Sequence, residues 1–160
     1  MVSTYLGIDI AKNKFDVALL KADGRFKSKV FSNTLEKFPQ LIEWLQKHDS
    51  VQNDIHICMV ATGIYGKKLA TFLFEKGYKV SVVNPARIKG FGQSELTRYK
   101  TDKADAKLIA RFCKAMYPVL WQPEEQHVEQ LREWVKRLEV LKTFVQQEKN
   151  RLETVSKELQ

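Results

Sequence analysis

The chain is poor in the residues that build disulfide-stapled or zinc-bound modules, with only two cysteines and three histidines in 160 residues. Cys58 and Cys113 lie inside apolar segments, and His48, His56 and His127 are too scattered to join them at zinc-ligand spacings. That argues against a disulfide scaffold and a zinc module, and the thiols read as buried and reduced. No apolar run approaches the roughly 18 residues needed to span a bilayer. The N-terminus also lacks the basic, apolar, small-residue order of a secretion signal. The expectation is a cytoplasmic protein with no membrane partner.

Acid is scarce as well, but only in one part of the chain. The net charge is +8, yet residues 121–160 hold 7 Lys and Arg against 8 Asp and Glu, which leaves 20 against 11 in the first 120. An excess of this size on one small domain favours a polyanionic partner, since neutralised phosphates release counterions. The plainer explanation is a basic surface that keeps the domain soluble. The length allows a sizeable core and one domain with an appendage.

What is present falls into a clear order. Residues 5–10 form an almost wholly apolar strand candidate, residues 15–20 a second, and the Asp23-Gly24 turn leads into a third over 26–32. Three antiparallel strands therefore open the domain. Asn33 or Thr34 is placed to cap a helix running to Lys47, with Leu35, Phe38, Leu41, Ile42 and Leu45 on one face. Residues 55–60 read as a buried strand, 65–76 as a helix stopped by Gly77, and 79–83 as another strand, a parallel crossover pair. Residues 85–100 are basic and weakly periodic, which suggests loop or short helical pieces, before a helix over 101–117 that Pro118 ends. The globular domain is expected over 1–123. From 124 to 160, Leu131, Trp134, Leu138, Leu141, Val145, Glu148, Leu152, Val155 and Leu159 alternate spacings of three and four, a heptad seam that predicts a coiled-coil arm. Pairing with a second copy is the favoured way to keep that seam dry, giving a homo-oligomer.

Chemistry is suggested by three acids. Asp9 sits within an apolar strand, where an ionised carboxylate is costly unless paired or bound to a metal. Asp102 and Asp105 stand three apart at a helix start, so both belong to its first turn. Each has a simpler explanation: Asp9 as a strand-end residue hydrogen-bonded to backbone or water, the other two as capping acids favoured by the helix dipole. Their order tips the balance. A strand aspartate opening a three-strand meander, then a crossover unit, then an acidic helix start is how RNase H-like nucleases assemble carboxylates. Such hard oxygen ligands suit Mg2+ or Mn2+. Arg87, Lys89, Arg98, Lys100, Lys103 and Lys107 surround the acids in sequence, a candidate phosphate-binding rim, or else a solvated basic face. Phe91 and Tyr99 within that stretch could stack on bases, although Phe91 fits the core equally well.

Four ordered motifs extend this pattern: Tyr5-Leu-Gly-Ile-Asp-Ile-Ala-Lys12 with Phe15-Asp-Val-Ala18, Ala61-Thr-Gly-Ile-Tyr65, Val82-Val-Asn-Pro-Ala-Arg87, and Lys100-Thr-Asp-Lys-Ala-Asp-Ala106. Through them, residues 4–123 resemble the Asp-Glu-Asp-Asp transposases of the insertion-sequence 110 family, which includes pilin-gene inverting recombinases. The resemblance implies an α/β, RNase H-like (RuvC-like) mixed sheet flanked by helices, a C-terminal coiled-coil arm, and a later domain carrying a serine nucleophile that lies beyond Gln160. It implies that Asp9, Asp102 and Asp105 are metal-binding carboxylates of a DNA transposase. Family members directed by a structured noncoding RNA imply two polyanions for the basic face, DNA and a guide RNA. One position departs from the family. Its glutamate before Ala-Thr-Gly is Val60 here, and Asp54 is too far back along the strand to replace it. Weakened metal binding and little or no catalysis by this chain alone are therefore expected. Two rivals stand beside this. An actin or sugar-kinase fold would want glycine and hydroxyl residues where Ala11-Lys-Asn-Lys14 stands. A noncatalytic nucleic-acid-binding and dimerisation module would use the acids as caps and the heptads for association.

Overall fold

The computed structural model describes residues 2–48, 52–60, 63–94, 102–124 and 126–158, and for residues 102–105 and 126 it describes the backbone alone. The chain divides into two compact units, Met1–Gln122 and Pro123–Gln160.

In the first unit, β1 (Thr4–Ile10), β2 (Lys14–Leu20), β3 (Phe26–Ser32), β4 (Ile55–Val60) and β5 (Lys79–Val83) form one sheet in the order β3-β2-β1-β4-β5. The first three strands are antiparallel neighbours, while β4 runs parallel to both β1 and β5. Gly24, at φ 85, supplies the left-handed turn between β2 and β3. Every residue of β4 is buried, His56 included, as expected of an inner strand covered on both faces. The edge strand β3 is mostly exposed, and its Lys27 and Lys29 oppose the edge pairing that a bare apolar strand would invite.

Alternation along the strands creates two cores. One face carries Leu6, Ile8, Phe15, Val17, Ile57 and Met59, which pack against α1 (Phe38–Lys47) and α2 (Lys67–Glu75). The other carries Tyr5, Cys58, Val60 and Val83, covered by α3 (Pro85–Ser94) and α4 (Asp102–Met116). After α4 the Trp121 amide donates to the Val80 carbonyl at 2.7 Å, and its indole packs edge-on to Phe74. That contact ties the exit of α4 to the sheet.

Three local expectations are corrected. The first helix begins at Phe38 rather than near Thr34, because Pro39 is tolerated only in a first turn and no side chain caps the start. Leu35 is consequently exposed rather than part of the apolar face. The segment from Pro85 is one ten-residue helix, started by the Asn84 side chain, which accepts the Ala86 amide at 2.9 Å, with Pro85 at the first helical position. Ile88 and Phe91 anchor it, so packing outweighs two helix-weakening glycines. The third helix expectation, over 65–76, resolves into a 3-10 turn at Gly63–Gly66 followed by α2.

The second unit is dominated by α5 (Gln126–Glu158), 33 residues long. Its Leu131, Trp134, Leu138, Leu141, Val145, Leu152 and Val155 are all exposed. Among the described residues, no helix is long and apolar enough to cross a membrane.

Candidate functional site

The site is organised by a missing side chain. A Cβ added to Gly7 of β1 would lie 2.0 Å from the Ala106 carbonyl oxygen and 2.5 Å from the Ala110 amide nitrogen. Helix α4 thus rests with its backbone directly on β1, which only glycine permits. The Tyr5 and Tyr117 hydroxyls meet at 2.9 Å, placing the exit of α4 over the start of β1. The helix therefore runs antiparallel to β1, and its first turn, with Asp102 and Asp105, lies at the end of the sheet where Asp9 sits. In the sequence Gly7 reads only as part of an apolar strand. The signal was available in its place two residues before Asp9, but not in any local pattern.

Position 60 belongs to the same corner. The parallel register pairs Ile8 with Met59, so Val60 follows beside Asp9, and both share the α4 face with Cys58 and Tyr5. Val60 is buried and offers no oxygen. A second acid, not singled out from sequence, is also present: Asp16 of β2 lies directly opposite Asp9 in the antiparallel register, on the same face, and both are half-buried. The side chains of Asp102 and Asp105 are outside what is described. Among the described residues, no group of three or more His, Cys, Asp or Glu could hold a metal ion.

The expected basic rim is only partly in this corner. Arg98 and Lys100 lie outside the described residues, as does Tyr99, and of Lys103 only the backbone is described. Arg87 and Lys89 are exposed on α3, and the Arg87 guanidinium stacks 5.3 Å above the Phe112 ring. Lys107 is drawn the other way: its amine lies 5.5 Å over Phe26, at the end of the sheet opposite Asp9. Phe91 is half-buried and edge-on to Phe112, which makes it a core residue rather than a base-stacking platform.

Two braces support the corner. Asn33, expected as a helix cap, instead donates its side-chain amide to the Ala11 carbonyl at 2.9 Å and the Tyr65 carbonyl at 3.1 Å. It thereby ties the β1–β2 turn to the segment that follows β4. Farther along the α4 face, His56 Nε2 and Ser81 Oγ meet at 2.7 Å, and Ser81 donates to the Pro118 carbonyl at 3.1 Å. With Ser81 donating onward, His56 supplies the ring N–H of this chain. Burial first, then the Lys79 charge, hold the His56 pKa below its usual value. Cys113 is buried against Cys58, and that thiol contact, together with burial, pushes its own pKa up; neither cysteine is in a disulfide.

A mixed five-stranded sheet whose first strand carries a half-buried aspartate beneath an antiparallel helix defines a RuvC-like member of the RNase H-like class. The solved T. thermophilus RuvC in complex with a Holliday junction substrate has this fold: TM-score 0.53 at 13% identity, over 74% of this chain and 99% of that one. Within that class, residues 6–159 match the family described as Transposase, the Asp-Glu-Asp-Asp type of the insertion-sequence 110 group, and the chain belongs to this family. It is similar to the pilin gene-inverting proteins of Moraxella bovis, at 38% identity, and Moraxella lacunata, at 37%, over 98% of its own residues in each case. The chain spans 48% of the length of these two relatives.

Proposed function

We propose that this chain is the N-terminal part of a DNA transposase or site-specific recombinase, holding DNA and a divalent metal for phosphodiester cleavage and strand transfer. The observation that supports this most is the seating of α4 on Gly7, which gathers Asp9, position 60 and the first turn of α4 at one end of one sheet face. Its metal-binding domain spans 1–123 and its coiled-coil arm 124–160, with Asp9, Asp102 and Asp105 as the metal-holding carboxylates.

The donor chemistry fits Mg2+ or Mn2+, since all three are hard carboxylate oxygens and no thiolate or imidazole lies on β1 or in the first turn of α4. When bound, such an ion activates a nucleophile and stabilises the leaving oxygen of a phosphodiester. Asp9 anchors it from a strand that cannot shift, because both faces of β1 are packed. The first turn of α4 brings the other two acids. Val60 cannot coordinate, so the site holds metal weakly and this chain alone turns over little or no DNA. Arg87, Lys89, Arg98, Lys100 and Lys103 hold phosphates of DNA or of a guide RNA. The exposed seam of α5 pairs two copies. Val60 also favours a second function, a noncatalytic nucleic-acid-binding and dimerisation module.

A calorimetric Mn2+ titration of the chain beside its Val60→Glu and Asp9→Asn variants separates the two. Binding at least tenfold tighter in Val60→Glu, and abolished in Asp9→Asn, is the expected outcome. No binding to either the parent or Val60→Glu would leave Asp102 and Asp105 as capping acids and favour the noncatalytic module.

A further inference from the structure

We infer that the Gly63–Gly66 turn and the β1–β2 turn together form a docking surface for unpaired DNA, on which Tyr65 stacks against a base and Lys12, Lys14, Lys67 and Lys68 hold the flanking phosphates. This rests on the DNA-handling function proposed above. It adds a surface on the α2 side of the sheet, whereas Arg87 and Lys89 stand on α3, which covers the other face.

The two turns are built as one piece. The Asn33 side-chain amide donates to the Ala11 and Tyr65 carbonyls at 2.9 and 3.1 Å, and its backbone amide donates to the Asn13 carbonyl at 2.9 Å. The Ala11 amide closes the first turn on the Lys14 carbonyl at 2.8 Å. A Cβ added to Gly66 would lie 2.9 Å from Ile10 Cδ1, so the second turn rests directly on the end of β1, one residue beyond Asp9. Gly63, at φ 65, sets its entry. Gly66 is its buried end, yet Ile64 is 79% exposed and Tyr65 43%. Among the described residues, no ring contact or side-chain hydrogen bond engages Tyr65. Scattered single apolar residues are ordinary on a surface. Two adjacent ones on a braced turn, ringed by cations, are a different pattern.

The charge around them is nearly all of one sign. Lys12 and Lys14 are exposed at the first turn and Lys67 and Lys68 at the start of α2, and neither residues 10–15 nor residues 63–71 contain an acid. Glu36 precedes α1, and Glu75 stands at the far end of α2. Glu75 shares a recess of about 290 Å³ with Lys67, Lys68, Thr71, Phe72 and Leu35, and the exposed Leu35 extends the apolar strip there. A cationic surface with an exposed aromatic ring is how proteins hold single-stranded nucleic acid: cations follow the phosphates and the ring takes the flat face of a base. Duplex DNA hides those faces in its stack, which commits the surface to an unpaired strand. Its place at the Asp9 end of the sheet gives it a task, holding a strand opened beside the phosphodiester to be cleaved.

Fluorescence anisotropy of the whole chain with one labelled sequence, offered as single-stranded DNA, blunt duplex DNA and single-stranded RNA, tests this. Single-stranded DNA should bind about fivefold tighter than the duplex. Tyr65→Ala should weaken single-strand binding about tenfold, the loss of one stacked base, and duplex binding less than about twofold. Tyr65→Phe keeps the ring and should stay within about twofold of the parent. Both should melt with the parent, since the side chain is exposed; Tyr65→Leu, which keeps apolar bulk without the ring, replaces the alanine variant should that one melt early. Lys67→Ala combined with Lys68→Ala should flatten the salt dependence by about one to two phosphate contacts, a response that Tyr65→Ala should not give. The inference is overturned by unchanged single-strand affinity in Tyr65→Ala, by no preference for the single strand over the duplex, or by tighter binding of the RNA. Duplex binding that falls in Arg87→Ala with Lys89→Ala would then uphold the DNA-handling function by itself. Absence of parent binding to all three nucleic acids overturns that function and the inference together.

Discussion

The two faces of the sheet differ in kind. The face under α1 and α2 is closed by large apolar side chains, Phe15, Phe31, Phe38, Trp44, Leu41 and Leu69 among them. The face under α4 combines apolar side chains, Ile88, Ile109 and Phe112 among them, with a close backbone approach in which Gly7 meets Ala106 and Ala110. It also holds the buried polar pair His56 and Ser81, and the two half-buried aspartates. One face is wholly apolar, and the other places polar groups beside its apolar core. A fold of this kind can stabilise itself on one side while carrying charges on the other.

The sharpest way to break that contrast is at Gly7. Gly7→Val places a side chain where the α4 backbone lies, and neither backbone can yield cheaply. Overpacking on this scale costs about 3 kcal/mol or more, so the variant should either fail to fold or fold with α4 displaced and Mn2+ binding lost. A melting curve and near-UV circular dichroism decide; native stability in Gly7→Val would refute the close seating of the helix. On the opposite face, Leu41→Ala removes a fully buried side chain and should cost about 2–4 kcal/mol by the cavity it leaves. Its Mn2+ affinity, measured below the new melting temperature, should match that of the parent. A parallel loss of metal binding would show that the two faces are not independent.

A smaller effect separates the faces by pH. His56 is buried and its folded pKa is lowered, so the unfolded chain takes up a proton before the folded one does. Its contribution to stability is complete above the ordinary histidine value of about 6.5 and is lost as pH falls through the folded value. Thermal melts of the parent should therefore weaken from pH 7 toward pH 5, and those of His56→Gln should weaken less. Identical slopes would remove His56 as the source.

Much of this architecture was legible in residue order. Alternation and turn chemistry placed β1 to β5 within a residue or so, since the Asp23-Gly24 turn and the Gly77 stop each demand a particular backbone. The errors have physical causes. Leu35 has helical spacing but precedes a proline that fixes the true start, and the helix after Pro85 was hidden by glycines whose weakness tertiary contacts offset. Lys107 stands beside the acids in sequence, and its amine lies over Phe26.

By itself the sequence determined the strands, the place of Asp9 in the first of them, the spacing of Asp102 and Asp105, the valine at position 60 and the three-and-four spacing of apolar residues after 124, because each is written in local spacing and residue type. The tertiary structure alone decided that Asp16 faces Asp9, that Asn33 braces the corner, and that α4 lies backbone-on-strand over Gly7. Those relations depend on strand register and helix direction, which join residues far apart in the chain and are set by packing rather than by any local pattern.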